Sequence, residues 1–139
     1  MIQLVEDKLD IDTYLELRRA VQFHDLSRDQ ARRALDNSLY TLVAYQDGRA
    51  VGMGRIVGDG AVICYVQDLI IRPEVQGQGI GGLILETLKD FVVKIGFPGT
   101  MMMFDLMCAR GREEFYQKHG FISRPTKELG PGMIQYLYL

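Results

Sequence analysis

Val66-Gln-Asp-Leu-Ile-Ile-Arg-Pro-Glu-Val-Gln-Gly-Gln-Gly-Ile-Gly-Gly82 is the stretch on which the reading of this chain turns. Val66, Leu69, Ile70 and Ile71 make an almost continuous apolar run, the pattern of a strand in a sheet core. Arg72-Pro73 ends it, because proline offers no ladder hydrogen bond and pushes the preceding residue out of helical geometry. Gly77, Gly79, Gly81 and Gly82 follow, and after them Ile80, Leu83, Ile84, Leu88, Phe91, Val92 and Ile95 recur at helical spacing. A glycine-rich turn feeding a helix leaves several backbone N–H groups without partners, and the helix dipole there favours negative charge. The stretch therefore predicts a phosphate site.

Gly77, Gly79 and Gly82 also satisfy the dinucleotide pattern G-x-G-x-x-G, but the surroundings do not fit it. A dinucleotide-binding unit places the glycines at the strand end, with an acidic residue about 20 positions on to hold the ribose. Here Arg72 to Gln76 intervene, and the later region reads Phe97-Pro-Gly-Thr-Met-Met-Met-Phe104, without a carboxylate. The absence of a Gly-Lys-Ser/Thr ending argues against a nucleoside-triphosphate loop as well.

Working outward, 139 residues suit one domain, 1–139, with a single ordinary core. Lys and Arg number 16 against 18 Asp and Glu, and no basic run of five occurs, so no nucleic-acid partner is expected. No apolar run approaches a membrane span, so no membrane partner is expected either, and a reducing cytoplasm is the expected location. Cys64 and Cys108 are too few for a disulfide scaffold and lack metal-ligand spacing; both read as buried thiols, and no metal is expected.

Met1 to Val5 alternates as a strand, and Asp10 or Asp12 caps a helix with Ile11, Tyr14, Leu17 and Val21 along one face. Ser27-Arg-Asp-Gln30 is a capping box that opens a second helix toward Asp36, with Arg28, Arg32 and Arg33 on a solvated face. Leu39 to Gln46 and Arg49 to Val57 form a hairpin around Asp47-Gly48, and Gly58-Asp59-Gly60 turns the chain into Ala61 to Ile71. Beyond the long helix, Thr100 to Met107 reads as a strand. Thr100, Met102, Phe104 and Leu106 lie on one face of it, and Met101, Met103, Asp105 and Met107 on the other. Asp105 is the misfit, since a carboxylate in so apolar a strand must be paired, solvated through a cleft, or raised in pKa. Gly111 to His119 reads as a short helix ended by a left-handed Gly120. Phe121 to Ser123 and Gly132 to Tyr138 read as late strands.

Gln76-Gly77-Gln78-Gly79-Ile80-Gly81 resembles the acetyl-CoA signature of the GNAT superfamily of N-acetyltransferases: Gln or Arg, two residues, Gly, one residue, then Gly or Ala. Phe115-Tyr116-Gln-Lys-His-Gly120-Phe121 is similar to that family's Phe-Tyr-Glu-Lys-x-Gly-Phe segment, one helix and one strand further on. The two matches span Tyr65 to Phe121, about half the chain. The resemblance implies an α+β, three-layer GNAT fold: a mixed, mostly antiparallel sheet flanked by helices in the order β-α-α-β-β-β-α-β-α-β-β. It also implies transfer of acetyl from acetyl-CoA, as cosubstrate, to a primary amine by direct attack in a ternary complex. A CoA-binding module without turnover, and a protein acetyltransferase acting on lysine or an N-terminus, stay open as alternatives. A small-molecule amine is the expected partner, and homodimerisation is left open.

On the same resemblance, the backbone of Leu69, Ile70 and Ile71 pairs with pantetheine in a gap between splayed strands. Gln76, Gly77, Gln78, Gly79, Ile80, Gly81 and Gly82 hold the pyrophosphate. An alkyl amine like lysine, of pKa about 10.4, must lose a proton before it can attack. The position that aligns with the family's acid is Gln67, which cannot act as a base. Asp68, pointing to the opposite face, and Asp105 on the neighbouring strand are the remaining candidates. A water chain, capture of the minor neutral amine, His24 and His119 stay open beside them, His119 also reading as a helix cap. Tyr116 is the implied proton donor to the departing thiolate, as a phenol protonated at neutral pH. Ala109 stands where the family often has a CoA-touching asparagine, which turns attention to Arg110 and Arg112. Tyr14, Phe23, His24 and Tyr136 are candidates for an acceptor pocket or for the core.

Overall fold

The computed structural model describes residues 1–139, which divide into two compact units, Met1–Leu106 and Met107–Leu139. The first contains β1 (Ile2–Glu6), α1 (Ile11–Ala20), α2 (Arg28–Asp36), β2 (Tyr40–Gln46), β3 (Arg49–Gly58), β4 (Ile63–Ile71), a single 3-10 turn at Pro73–Val75, α3 (Ile80–Ile95) and β5 (Met103–Asp105). Its sheet runs β1-β2-β3-β4-β5, antiparallel except for the parallel pair β4 and β5.

Local chemistry sets the element ends. Asp10 accepts from the Thr13 amide at 2.7 Å and Ser27 from the Gln30 amide at 3.0 Å, so both helices open on the caps expected of them. Asp47 and Gly48 both take positive φ, 52° and 77°, the geometry of a tight hairpin between β2 and β3.

Two apolar layers cover the sheet. On one side Tyr14, Leu15 and Leu17 of α1 and Ala31 of α2 meet Val43, Met53 and Ile70. On the other Ile80, Ile84, Leu88 and Val92 of α3 meet Leu42, Ala44, Val51, Ile56, Cys64 and Val66. Gly52 and Gly54 let α3 come this close. A Cβ on Gly54 would lie 2.8 Å from both Ile84 and Leu88, and one on Gly52 would lie 2.8 Å from Ile71 Cδ1 and 2.9 Å from Ile70 O.

The second unit holds α4 (Glu113–Lys118). It closes as a Schellman motif on left-handed Gly120 (φ 92°): the Phe121 amide donates to Tyr116 O and the Gly120 amide to Gln117 O, both at 3.1 Å.

Three expectations need correction. The strand expected over Thr100 to Met107 shrinks to Met103–Asp105, because β4 offers parallel partners only at Ile63, Cys64 and Tyr65. Its two faces are as expected: Met102, Phe104 and Leu106 pack on the α3-side core, while Met101, Met103 and Met107 are exposed. The late strands Phe121 to Ser123 and Gly132 to Tyr138 do not form, since apolar alternation makes a strand only where another strand completes its ladder. Cys64 is a buried thiol, whereas Cys108 is exposed.

Candidate active site

β4 is paired along one edge and parted along the other. Its register with β3 runs from Gly58↔Cys64 to Gly52↔Ile71, whereas its register with β5 stops at Tyr65↔Asp105. From Val66 onward β4 has no neighbouring strand on the β5 side. The Arg72 amide donates to Val51 O at 2.8 Å, and antiparallel ladders alternate, so Ile70 faces β3 while Leu69 and Ile71 turn their N–H and C=O groups to the parted edge. Gln76 Nε2 donates to Ile71 O at 2.9 Å, fastening the start of the glycine turn to that edge.

A β-bulge sits in the middle of this strand. Ile56 faces Val66 and Arg55 faces Asp68, which leaves Gln67 as the extra residue. The bulge reverses the strand's facing. Cys64 and Val66 pack on the α3 side, yet Ile70, an even number of positions on, packs on the α1 side. Gln67 is exposed and Asp68 is buried.

The glycine turn is open to solvent. Gly77 and Gly79 have φ of 82° and 84°, which side-chain-bearing residues rarely adopt, and a Cβ on either would meet nothing within 4 Å. Gly79 caps α3 with no side-chain hydrogen bond, and the Leu83 amide donates to Gly79 O at 3.1 Å. The amides ahead of Leu83 lie at a helix start where intrahelical acceptors run out. Bare donors, a cradle free of side chains and the dipole's positive end suit the diphosphate of a nucleotide-type ligand.

The two candidate carboxylates differ sharply. Asp68, with its side chain 1% exposed, accepts from Arg55 Nε at 2.8 Å, from the Tyr14 hydroxyl at 2.9 Å and from Arg18 Nη1 at 3.1 Å. Arg55 also donates to Ala34 O and Ser38 Oγ, and Arg18 to His24 O. Burial, then the Asp68 charge, pushes the Tyr14 phenol up, which keeps it a donor. Asp105 lies at the last rung before β5 leaves β4, with Oδ1 out of solvent and no hydrogen-bond partner. Burial raises its pKa, opposed only by a backbone hydrogen bond. Asp68 is fully engaged by three donors, whereas Asp105 holds a proton more readily than an ordinary aspartate.

In the second unit Tyr116 is half-buried on α4, edge-on to Phe115 at 5.0 Å and to Phe121 at 5.7 Å. Burial and the neighbouring Cys108 raise its pKa, with Arg112 opposing. Arg110 and Arg112 are exposed on the segment leading into α4. Of the acceptor-pocket candidates, Tyr14, Phe23 and His24 converge on Arg18, whose guanidinium lies 5.6 Å from the Tyr14 ring and 5.4 Å from the Phe23 ring. Tyr136 is exposed. Arg18 and Arg55 escaped the sequence reading; Arg18 was findable, lying four residues past Tyr14 on the buried stripe of α1. A shallow depression of about 390 Å³ between α1 and α2, lined by Asp10, Asp12, Arg28 and Arg32 among others, shares no residue with β4 or the glycine turn. No group of three His, Cys, Asp or Glu is placed to hold a metal, and no helix is long and apolar enough to cross a membrane.

A strand parted from its neighbour beside a glycine-capped helix is the arrangement of an acyl-CoA-dependent acyltransferase fold, and comparison with known proteins agrees. The profile of the acetyltransferase (GNAT) domain matches residues 37–123, more than half the chain. The chain therefore belongs to the GNAT acetyltransferase family. It is 31% identical over 126 residues to an uncharacterized ycf52-like N-acetyltransferase of Prochlorococcus marinus, covering 80% of this chain and 63% of that one. It is 32% identical over 84 residues to serotonin N-acetyltransferase 2, chloroplastic, of Oryza sativa subsp. japonica, covering 58% and 42%. The chain thus spans about half the length of these curated relatives. Among solved structures, a probable acetyltransferase of meticillin-resistant Staphylococcus aureus superposes with a TM-score of 0.84 at 28% identity, over 98% of this chain and 100% of that one.

Proposed function

We propose that this chain is a cytoplasmic N-acetyltransferase that moves an acetyl group from acetyl-CoA to a primary amine by direct attack in a ternary complex. The observation that carries the reading is the parted edge of β4 lying next to the uncapped glycine turn. Gln76 to Gly82 would hold the diphosphate, and Leu69 and Ile71 would pair with the amides of the pantetheine arm as an added strand does. The bound cosubstrate supplies an acetyl thioester.

The chain's own groups then have three tasks. The Leu69 amide, turned to the parted edge, donates to the thioester oxygen most strongly as charge builds there. Asp105 takes the proton that the amine must lose as the new C–N bond forms; its raised pKa brings it closer to the operating pH than an ordinary aspartate. Tyr116, kept protonated by burial, returns a proton to sulfur as the C–S bond breaks. Asp68, its oxygens engaged by Tyr14, Arg18 and Arg55, is given a positioning role instead of a basic one. As acceptor we favour a small primary amine, in keeping with the rice relative's name. The free thiols of Cys64 and Cys108 support a reducing compartment.

Titration calorimetry with acetyl-CoA tests the binding half, and absence of heat from the folded protein would remove the whole reading. Thiol release with a panel of amines, serotonin included, tests the transfer half. Tyr116→Phe should lower turnover with acetyl-CoA affinity nearly unchanged, and an equally active variant would strike Tyr116 from the mechanism. Gln67 at the family's acid position and the saturation of Asp68 favour one competing reading, a CoA-binding module without turnover. Heat on binding with no thiol release across the panel is its signature.

A further inference from the structure

Two guanidiniums share one carboxyl group on the α1 side of the β4 bulge. Arg55 Nε lies 2.8 Å and Arg18 Nη1 3.1 Å from the oxygens of Asp68, with the three side chains 7%, 12% and 1% exposed. A guanidinium does not lose its proton in a protein, so this cluster carries positive charge in excess. The nearest acids along the chain are committed elsewhere. Asp12 and Glu16 of α1 pair with Arg28 and Arg72, and Asp25 of the segment after α1 pairs with Arg19. Charges taken into the interior are ordinarily matched one for one.

Arg18 is also the arginine with a donor to spare. Arg55 spends Nε on Asp68 and Nη1 on Ala34 O and Ser38 Oγ. Arg18 Nη2 donates to His24 O at 2.9 Å, but its Nε is shut away from solvent with no hydrogen-bond partner. An unmet donor on a charged, buried group is among the costliest to keep. The guanidinium lies 5.6 Å from the Tyr14 ring and 5.4 Å from the Phe23 ring. Tyr14 belongs to the core, so Phe23, on the segment after α1, is the wall that can give way. Excess positive charge, a free N–H and a displaceable aromatic wall suit a carboxylate, which guanidinium recognises through its fork of N–H groups.

The place of Arg18 in the fold says which molecule brings that carboxylate. Asp68, which Arg18 holds, is followed directly by Leu69, whose amide is turned to the parted edge of β4. Neighbouring Cα atoms are about 3.8 Å apart, so a molecule of a few carbons reaches from Arg18 to that edge. We propose that the acceptor is an amine that also bears a carboxylate, an amino acid in the broad sense, and that Arg18 selects it by binding the carboxylate. The inference rests on the acetyl-transfer reading above and narrows its acceptor from primary amines in general to acid-bearing ones. Every residue it uses lies in the first unit.

Thiol release from acetyl-CoA is compared for matched acceptors: glycine with methylamine, β-alanine with ethylamine, γ-aminobutyrate with propylamine, and tyrosine with tyramine. In wild type, kcat/KM should favour the acid-bearing member of at least one pair by about 10–100-fold, the scale of a hydrogen bond to a charged group. Arg18→Gln leaves Asp68 its bonds to Arg55 and Tyr14; it should level that preference through KM while calorimetric affinity for acetyl-CoA is kept. Arg18→Lys should restore part of the preference. Turnover that favours the acid in no pair, or a preference that survives in Arg18→Gln, overturns the proposal. A second measurement needs neither turnover nor a variant. In wild-type protein without acetyl-CoA, the NMR signal of Arg18 Nε–H, identified by its NOEs to the Phe23 ring, should shift on adding the amino acids and not the alkylamines. A signal that stays fixed overturns the subsite. A shift with no thiol release from any pair would keep the subsite and remove the transfer reading instead.

Discussion

Asp68 and Asp105 stand on neighbouring strands, and the fold treats them in opposite ways. Asp68 is gripped by a tyrosine and two arginines drawn from α1 and β3, so its charge is the counterweight that joins a helix to the bulge in β4. Asp105 has an oxygen shut away from water with nothing to bond. Burial alone therefore does not mark a reactive carboxylate. What separates the two is how many donors accompany the group inside: three reach Asp68, and none reaches the buried oxygen of Asp105.

Four experiments sharpen or break that contrast. Asp105→Asn should lower turnover by about 10²–10⁴-fold, the usual range for a lost general base, while thermal unfolding stays near wild type; normal turnover would end the basic role of Asp105. Asp68→Ala leaves Arg18 and Arg55 facing each other in the interior and should destabilise the fold by about 3–5 kcal/mol, read by urea denaturation. An unchanged midpoint would mean the three-donor cluster is not formed in solution. The third test uses pH. Asp105 has a folded-state pKa raised above its unfolded value, so its contribution to stability is complete below the unfolded pKa and is lost as pH rises through the folded one. Relative to Asp105→Asn, wild type should thus lose stability on going from acid toward neutral pH, and parallel curves for the two proteins would contradict the raised pKa. Smallest of the four, Tyr14→Phe removes one donor of three and should cost about 0.5–1.5 kcal/mol, the scale of a single hydrogen bond, with turnover per folded molecule preserved.

The contrast also marks how far the sequence could be read. The glycine turn, the Asp10 and Ser27 caps and the Asp47-Gly48 hairpin were legible because each is settled by residues within four positions of one another. The bulge at Gln67 was not, since it exists only in the register between β3 and β4. Nor was the commitment of Asp68, whose donors lie 13, 50 and 54 residues away in the chain. Asp105 could be picked out as a misfit among methionines, but its unpaired oxygen depends on where β5 leaves β4. The late strands were overread because an apolar run such as Met133 to Tyr138 reports side chains suited to a strand and is silent on whether a neighbouring strand completes its ladder.

Gly54 carries a last implication. With a methyl group there, Ile84 and Leu88 would have to yield, and a rigid α-helix transmits such a shove along its axis to its first turn. The proposed grip on a phosphate at Gly79 would thus be adjustable from beneath, by a residue that touches no ligand. Directed evolution of cosubstrate affinity in this chain could begin in the floor of the sheet as readily as in the loop above it.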